Sequence, residues 1–182
     1  RNPSNGQYLG DVKLSEGDNG EAPVAGWDLT TRQPKSISIL WAFGDKETRD
    51  GIDECMRNAA EMTIDYFENE YATTRAGQGG VASVSADGVA GFVFDHYDNR
   101  NGDPQPHKHI VISNRVRRSS DKVWTALDGR KIYAGMVEIS EVHENLLQDL
   151  LTERFGWSWT LKQDHDTKAM VNEVDGVPQE LI

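Results

Sequence analysis

Two helical stripes bracket a block of short alternating segments, and that order constrains the fold more than any other feature of the chain. Over residues 46–72, Ile52, Met56, Ala59, Ala60, Ile64 and Phe67 recur at a 3.6-residue period. Over residues 131–155, Met136, Val137, Ile139, Leu146, Leu147, Leu150 and Leu151 line a second long helix. Asp45 stands where it can cap the first, and Gly156 where a left-handed glycine ends the second. Between them, residues 81–85 and 89–94 flank Asp87-Gly88, which predicts a hairpin. A polar loop over 98–106 leads to a strand at 110–112, residues 117–122 turn the chain into 123–127, and Asp128-Gly129 is a further turn. Upstream, residues 26–31 read as a short strand, and Pro34 opens a short helix through Ile37, Leu40, Trp41 and Phe43 that Gly44 breaks. Trp157-Ser158-Trp159 alternates like an edge strand, and residues 170–174 supply another. Residues 1–24 read mostly as loop, and 157–182 as edge strands and tail. Helices gathered in blocks rather than alternating with strands predict an α+β domain. Its expected form is a central antiparallel sheet with helices packed mainly on one face.

The chain has 182 residues, enough for one domain with a real core, and 37% hydrophobic residues with five Trp exclude a disordered acidic tail. No apolar run approaches the roughly 20 residues of a membrane helix. The lone Cys55 excludes a disulfide framework and a thiolate metal cluster. The opening at Arg1, without Met, is expected of a piece of something longer. The net charge of −11 argues against a nonspecific nucleic-acid binder, but its distribution is uneven. Residues 45–70 carry a net −6, read as a solvated helix face. Residues 115–131 carry a net +4 from Arg115, Arg117, Arg118, Lys122, Arg130 and Lys131 against Asp121 and Asp128. That segment also holds Trp124, a candidate base-stacking platform.

His96, His107 and His109 fall within fourteen residues. Strand alternation puts His107 and His109 on one face, and His96 follows Phe92 and Phe94 at the same two-residue spacing. If the two strands pair across the intervening loop, all three rings meet on one sheet face. Three neutral imidazoles suit a divalent transition metal that keeps positions open for substrate. Lacking a carboxylate ligand, such a metal retains charge for an anionic substrate, with phosphate oxygens as its natural partners. His143, between Glu141 and Glu144, and His165, among tail acids, read as surface residues.

The blocks Ala25-Gly26-Trp27-Asp28-Leu29-Thr30, Pro34-Lys35-Ser36-Ile37-Ser38, Phe94-Asp95-His96, Asp103-Pro104-Gln105-Pro106-His107-Lys108-His109 and Trp124-Thr125-Ala126-Leu127-Asp128-Gly129 resemble, in order and spacing, the signature of MobF-class (TrwC-like) conjugative relaxases of the HUH endonuclease superfamily. The resemblance runs from about Gly26 to Leu181. It implies that His96, His107 and His109 hold one divalent metal (Mn, Mg, Zn, Ni or Co), on the sheet face opposite the helices. It implies that Asp28 hydrogen-bonds a ligand histidine and serves as general base. Single-stranded origin-of-transfer DNA is the implied partner, with a helicase-like region in the same parent chain; Lys35, Arg115, Arg117, Arg118, Lys122 and Arg130 are the expected DNA contacts, the charge asymmetry between residues 115–131 and 45–70 pointing to the basic segment. The implied setting is the bacterial cytoplasm, with no membrane partner. The implied chemistry is strand transfer, in which a tyrosine attacks a phosphodiester, stays linked to the 5′ phosphate and frees the 3′ hydroxyl.

The family's nucleophilic tyrosines lie upstream of every block matched here, so this chain is expected to hold none. Alternation turns Tyr97 away from His96. Tyr66 and Tyr71 fall on the acidic helix, Tyr133 opens the last helix, and Tyr8 lies in the leading loop. Two departures stand out. Thr30-Thr31-Arg32-Gln33 replaces the family's Thr-Phe-Ser-Ala before the short helix, and Lys108 sits between the paired histidines where a hydrophobe is usual. A rolling-circle initiator or transposase of the same superfamily shares the chemistry. A non-catalytic DNA-binding fragment is the reading from outside enzymes.

Overall fold

The structure, a computed structural model, describes residues 24–164 and 168–182. The leading loop with Tyr8, and His165 in the tail, lie outside the described residues. The chain runs β1 (Gly26–Thr30), α1 (Lys35–Phe43), α2 (Lys46–Tyr71), β2 (Thr73–Ala76), β3 (Ala82–Ser85), β4 (Gly91–Asp98), β5 (Pro104–Ser113), β6 (Val116–Arg117), β7 (Trp124–Thr125), α3 (Gly129–Phe155), β8 (Trp159–Gln163) and β9 (Met170–Val174). None of the described helices is long and apolar enough to cross a membrane.

The sheet that carries the chemistry has the order β1-β5-β4, antiparallel throughout, with β5 in the middle. Its register sets Thr30 beside His109 on one side, and Phe94 beside His109 and His96 beside His107 on the other. Along β5 the buried positions are Pro106, Lys108, Ile110 and Ile112, while His107 and His109 point to the half-open face. Helices α1 and α2 pack behind β5, and α3 packs on α2, so the helices cover the face away from the histidines. All eight residues of β4 are exposed.

The α2 stripe is buried as its periodicity predicts, with Ile52, Met56, Ala59, Ala60 and Phe67 at 5% exposure or less. Asp45 caps the helix by accepting from the Thr48 N–H at 2.8 Å, and Gly156 ends α3 at φ 69°. Helices α2 and α3 approach closely at Gly135, where any Cβ would collide with the Tyr71 ring. The start of α1 is served from a distance. Pro34 offers no side-chain cap, and the buried Glu173 of β9 accepts from the Ser36 N–H at 2.8 Å instead. The Ser36 hydroxyl in turn accepts from the Val174 N–H at 2.9 Å. A carboxylate at a helix N-terminus satisfies an orphan donor and complements the dipole, so the departure at residues 31–33 leaves the helix start supported.

Three expectations need correction. Residues 81–85 and 89–94 do not form a hairpin: β3 pairs with β2, and β4 pairs with β5. The turn that serves β3 is Gly77–Gly80, whose three glycines all have positive φ. Asp87 instead accepts from Arg117 and Lys122, drawing its loop toward the β6–β7 hairpin. His143 is not a surface residue. It is 4% exposed, with its Nδ1 2.9 Å from the Thr63 hydroxyl, which itself donates to the Ala59 carbonyl. The edge strand expected at residues 157–159 begins only at Trp159.

Candidate metal centre and nucleic-acid interface

Pairing of β4 with β5 brings the three histidines together. Ring centroids are 4.7 Å apart for His96 and His107, 5.1 Å for His107 and His109, and 5.8 Å for His96 and His109. Each ring offers a ligand atom, and these all lie within 4.8 Å of one another. Metal–nitrogen bonds of about 2.0–2.1 Å put adjacent ligand nitrogens roughly 3–3.4 Å apart. The 3.2 Å between His96 Nδ1 and His107 Nε2 matches that spacing.

The second nitrogen of each ring has an oxygen partner. His107 Nδ1 lies 2.7 Å from the Gln105 carbonyl, His109 Nδ1 lies 2.9 Å from Asp28 Oδ2, and His96 Nε2 lies 3.2 Å from Asp98 Oδ1. A carbonyl or carboxylate accepts only from N–H, so these bonds leave Nε2 of His107 and Nε2 of His109 free to ligate, while His96 turns Nδ1 toward His107 and Nε2 toward the Asp98 carboxylate. The donor set therefore fits a divalent metal. Asp28 lies on β1 across from Val111, exposed, with its carboxylate bonded to His109. The Thr30 hydroxyl joins it, 3.3 Å from His109 Nδ1. The sequence reading missed Asp98 and the Gln105 carbonyl. Their signal was proximity, since each lies two residues from a candidate ligand on a strand.

None of the four described tyrosines joins this centre. Tyr97 turns to the back of the sheet and stacks on Trp41 at 5.4 Å. Tyr66 and Tyr71 both donate to Glu138, an arrangement that pushes the Tyr66 hydroxyl up to about 12. Tyr133 packs edge-on against Trp27 at 5.2 Å.

The basic residues occupy other ground. The β6–β7 hairpin follows the far end of β5, and Ser113 is four residues beyond His109, about 13 Å along a strand. Several of its charges are already paired. Arg117 and Lys122 both reach Asp87, at 2.7 and 2.8 Å, and Arg118 grips Asp121 with two nitrogens, at 2.8 and 2.5 Å. These bonds, from Lys122 foremost, hold the Asp87 carboxyl below its ordinary range. Lys35 opens α1, at the other end of β1. Arg130 lines an open cleft of about 470 Å³ at the start of α3, together with Arg75, Thr125, Asp128 and Tyr133. Trp124 is 48% exposed.

The sequence matches the TrwC relaxase family model over residues 1–182. It is 26% identical over 176 residues to the multifunctional conjugation protein TraI of Escherichia coli, covering 92% of this chain and 9% of TraI. A solved structure of the conjugative relaxase TrwC with mutant oriT DNA superposes with a TM-score of 0.75 at 25% identity, covering 93% of this chain and 56% of that one. A copper-bound TrwC–oriT complex gives 0.73 at 25% identity, over 92% and 54%. The chain thus spans under a tenth of TraI and about half of the TrwC chains. A match along its whole length, meeting an exposed three-histidine face on the expected sheet, places this chain in the TrwC relaxase family.

Proposed function

We propose that the chain is the metal-binding core of a DNA relaxase that nicks and rejoins single-stranded origin-of-transfer DNA during conjugative mobilisation. One observation carries the reading: three imidazoles converge on an open sheet face, two of them, His107 and His109, with the second nitrogen hydrogen-bonded to an oxygen. His96, His107 and His109 would hold one divalent ion (Mn, Mg, Zn, Ni or Co), which when bound polarises a scissile phosphate. Asp28 orients His109 and, still exposed, can take up a proton from an attacking hydroxyl. The Tyr oxygen–phosphorus bond forms as the P–O3′ bond breaks, and the 3′ oxygen gains a proton. The phosphotyrosine link conserves the bond energy for rejoining.

Lys35, Arg115, Arg117, Arg118, Lys122 and Arg130 are the proposed phosphate contacts, distributed around the sheet rather than at the histidines. The multifunctional nature of TraI supports a parent chain that continues into a helicase-like region, and the proposed setting is the bacterial cytoplasm. The nucleophile is proposed to come from outside the described residues, because Tyr66, Tyr71, Tyr97 and Tyr133 are engaged elsewhere and attack needs in-line placement at about 3–3.5 Å. Origin single-stranded DNA incubated with a divalent metal and the full-length parent is expected to yield a covalent protein–DNA band on a denaturing gel, whereas the 182-residue chain alone yields none. A band from this chain that disappears in Tyr8→Phe or Tyr97→Phe would overturn the assignment. Absence of nicking by a parent that binds the same DNA would favour a binding module.

A further inference from the structure

The ligand His96 sits on the least supported strand of the sheet. Strand β4 has β5 on one side and no strand on the other among the described residues, and none of its eight residues is buried. Register is ordinarily fixed by a buried face, because a one-residue slip turns every side chain over. That device is missing from β4. A slip of one residue would carry His96 to the back, and a slip of two would bring Phe94 or Asp98 opposite His107.

The ladder also ends here. His96↔His107 is its last regular rung, and beyond it Asp98 pairs with Pro104, so β5 carries one residue more than β4. Pro106 lies in that irregular stretch and has no N–H to give a rung. The extra residue could migrate inward unless the rung inside it is pinned.

We propose that the Asp95–Lys108 ion pair, aided by the Tyr97–Trp41 stack, holds His96 in metal-binding register from the back of the sheet; the inference rests on the three-histidine reading of the metal site. Asp95 and Lys108 form the rung directly inside His96↔His107. Lys108 occupies the buried row between Pro106 and Ile110 at 5% exposure, and its Nζ donates to Asp95 Oδ1. A buried ammonium is costly without a carboxylate in contact, and on β4 the observed register is the one that sets Asp95 opposite Lys108. Asp53 of α2 faces the same pair and is itself anchored by the Trp41 indole N–H at 2.9 Å. On the other flank of His96, the Tyr97 ring lies on Trp41 with only 18° between planes. His96 is thus held between two contacts that both reach behind the sheet. Lys108, the residue that departs from the usual hydrophobe between the paired histidines, is a positioning residue here, and Asp95 is its counterpart.

Cobalt(II) titration of the 182-residue chain, read by its visible absorption and by competition, tests this alongside far-UV circular dichroism and thermal melting. Asp95→Ala is expected to weaken Co(II) binding about tenfold or more in protein that remains folded, the range seen when groups that orient metal ligands are removed. Tyr97→Ala is expected to weaken it less. The apolar pair Lys108→Met with Asp95→Leu is expected to recover the wild-type melting temperature without recovering the affinity. If Asp95→Ala fails to fold, Asp95→Asn, which keeps the shape and loses the charge, takes its place under the same criterion. Affinity within twofold of wild type in the folded variant, or full recovery of affinity by the apolar pair, would overturn the proposal. His96→Ala separates the two levels of the argument. Unchanged binding in that variant removes the metal site and this inference together, whereas lost binding there with unchanged binding in Asp95→Ala removes the inference alone.

Discussion

Strands β4 and β5 face each other across one hairpin and supply the three histidines between them, yet they are held in unlike ways. In β5 every second residue from Pro106 to Ile112 is buried, because strands flank it on both sides and helices α1 and α2 lie behind it. In β4 nothing is buried. The contrast is sharpest on one rung: Ile110 is 1% exposed and its partner Val93 is 42% exposed, although both point to the back. His107 and His109 therefore inherit their positions from the hydrophobic core, while His96 depends on hydrogen bonds, an ion pair and an aromatic stack. A site assembled this way joins a rigid half to an adjustable half.

The largest effect should follow from weakening the rigid half. Ile110→Ala opens a cavity between the sheet and α2 and is expected to cost about 3–4 kcal/mol of stability, because a fully buried branched side chain is lost where neighbours cannot collapse freely. Urea unfolding measures it. A loss below about 1 kcal/mol would mean that β5 is no better supported than β4.

A comparable but pH-dependent effect belongs to the helices behind β5. Burial holds the His143 ring down to about 4, with Thr63 of α2 as its hydrogen-bond partner and Lys108 of β5 adding a smaller repulsion. The unfolded chain takes up that proton near pH 6.5, and the folded chain only near 4. As pH falls through this window the proton binds the unfolded chain first, so stability drops, by up to about 3 kcal/mol from this ring, and drops no further below it. In His143→Gln the acid limb of the stability curve should be flatter by that amount between pH 6.5 and 4. Parallel curves for the two proteins would show that His143 is solvated after all.

Much of this arrangement was written in local patterns. Period-two spacing put His96, His107 and His109 on one face, and the α2 stripe, the Asp45 cap and the Gly156 terminus were all readable within a few residues. His143 was readable too, since Ile132, Ile139, His143, Leu147 and Leu151 follow the buried stripe of α3, but Glu141 and Glu144 beside it suggested a wet surface. What escaped was set by contacts distant in sequence. Glu173 completes the start of α1 from 137 positions away. The Asp87-Gly88 turn signal gave no hairpin, because β2 was available to pair with β3 and Asp87 was drawn to Arg117 and Lys122. The net +4 of the basic segment hid its pairing, because the Asp87 that bonds two of its cations lies thirty residues upstream of Arg117.

The smallest effect should come from the adjustable half. Val93→Ala sits on the same rung and the same face as Ile110→Ala, so the pair isolates support from position. Val93 is already 42% exposed, so truncation removes carbon that water reaches in the folded chain. No cavity is left behind, and the loss comprises part of the transfer energy of two methyl groups and some strand preference, at most about 1 kcal/mol. Its side chain points away from the histidines, so Co(II) affinity should stay at the wild-type value while Asp95→Ala, two residues along on the same face, reduces it. Should Val93→Ala instead cost as much per carbon removed as Ile110→Ala, the back of β4 must be covered in solution. His96 would then be held by a packed face like its two partners rather than by the few polar and aromatic contacts around it.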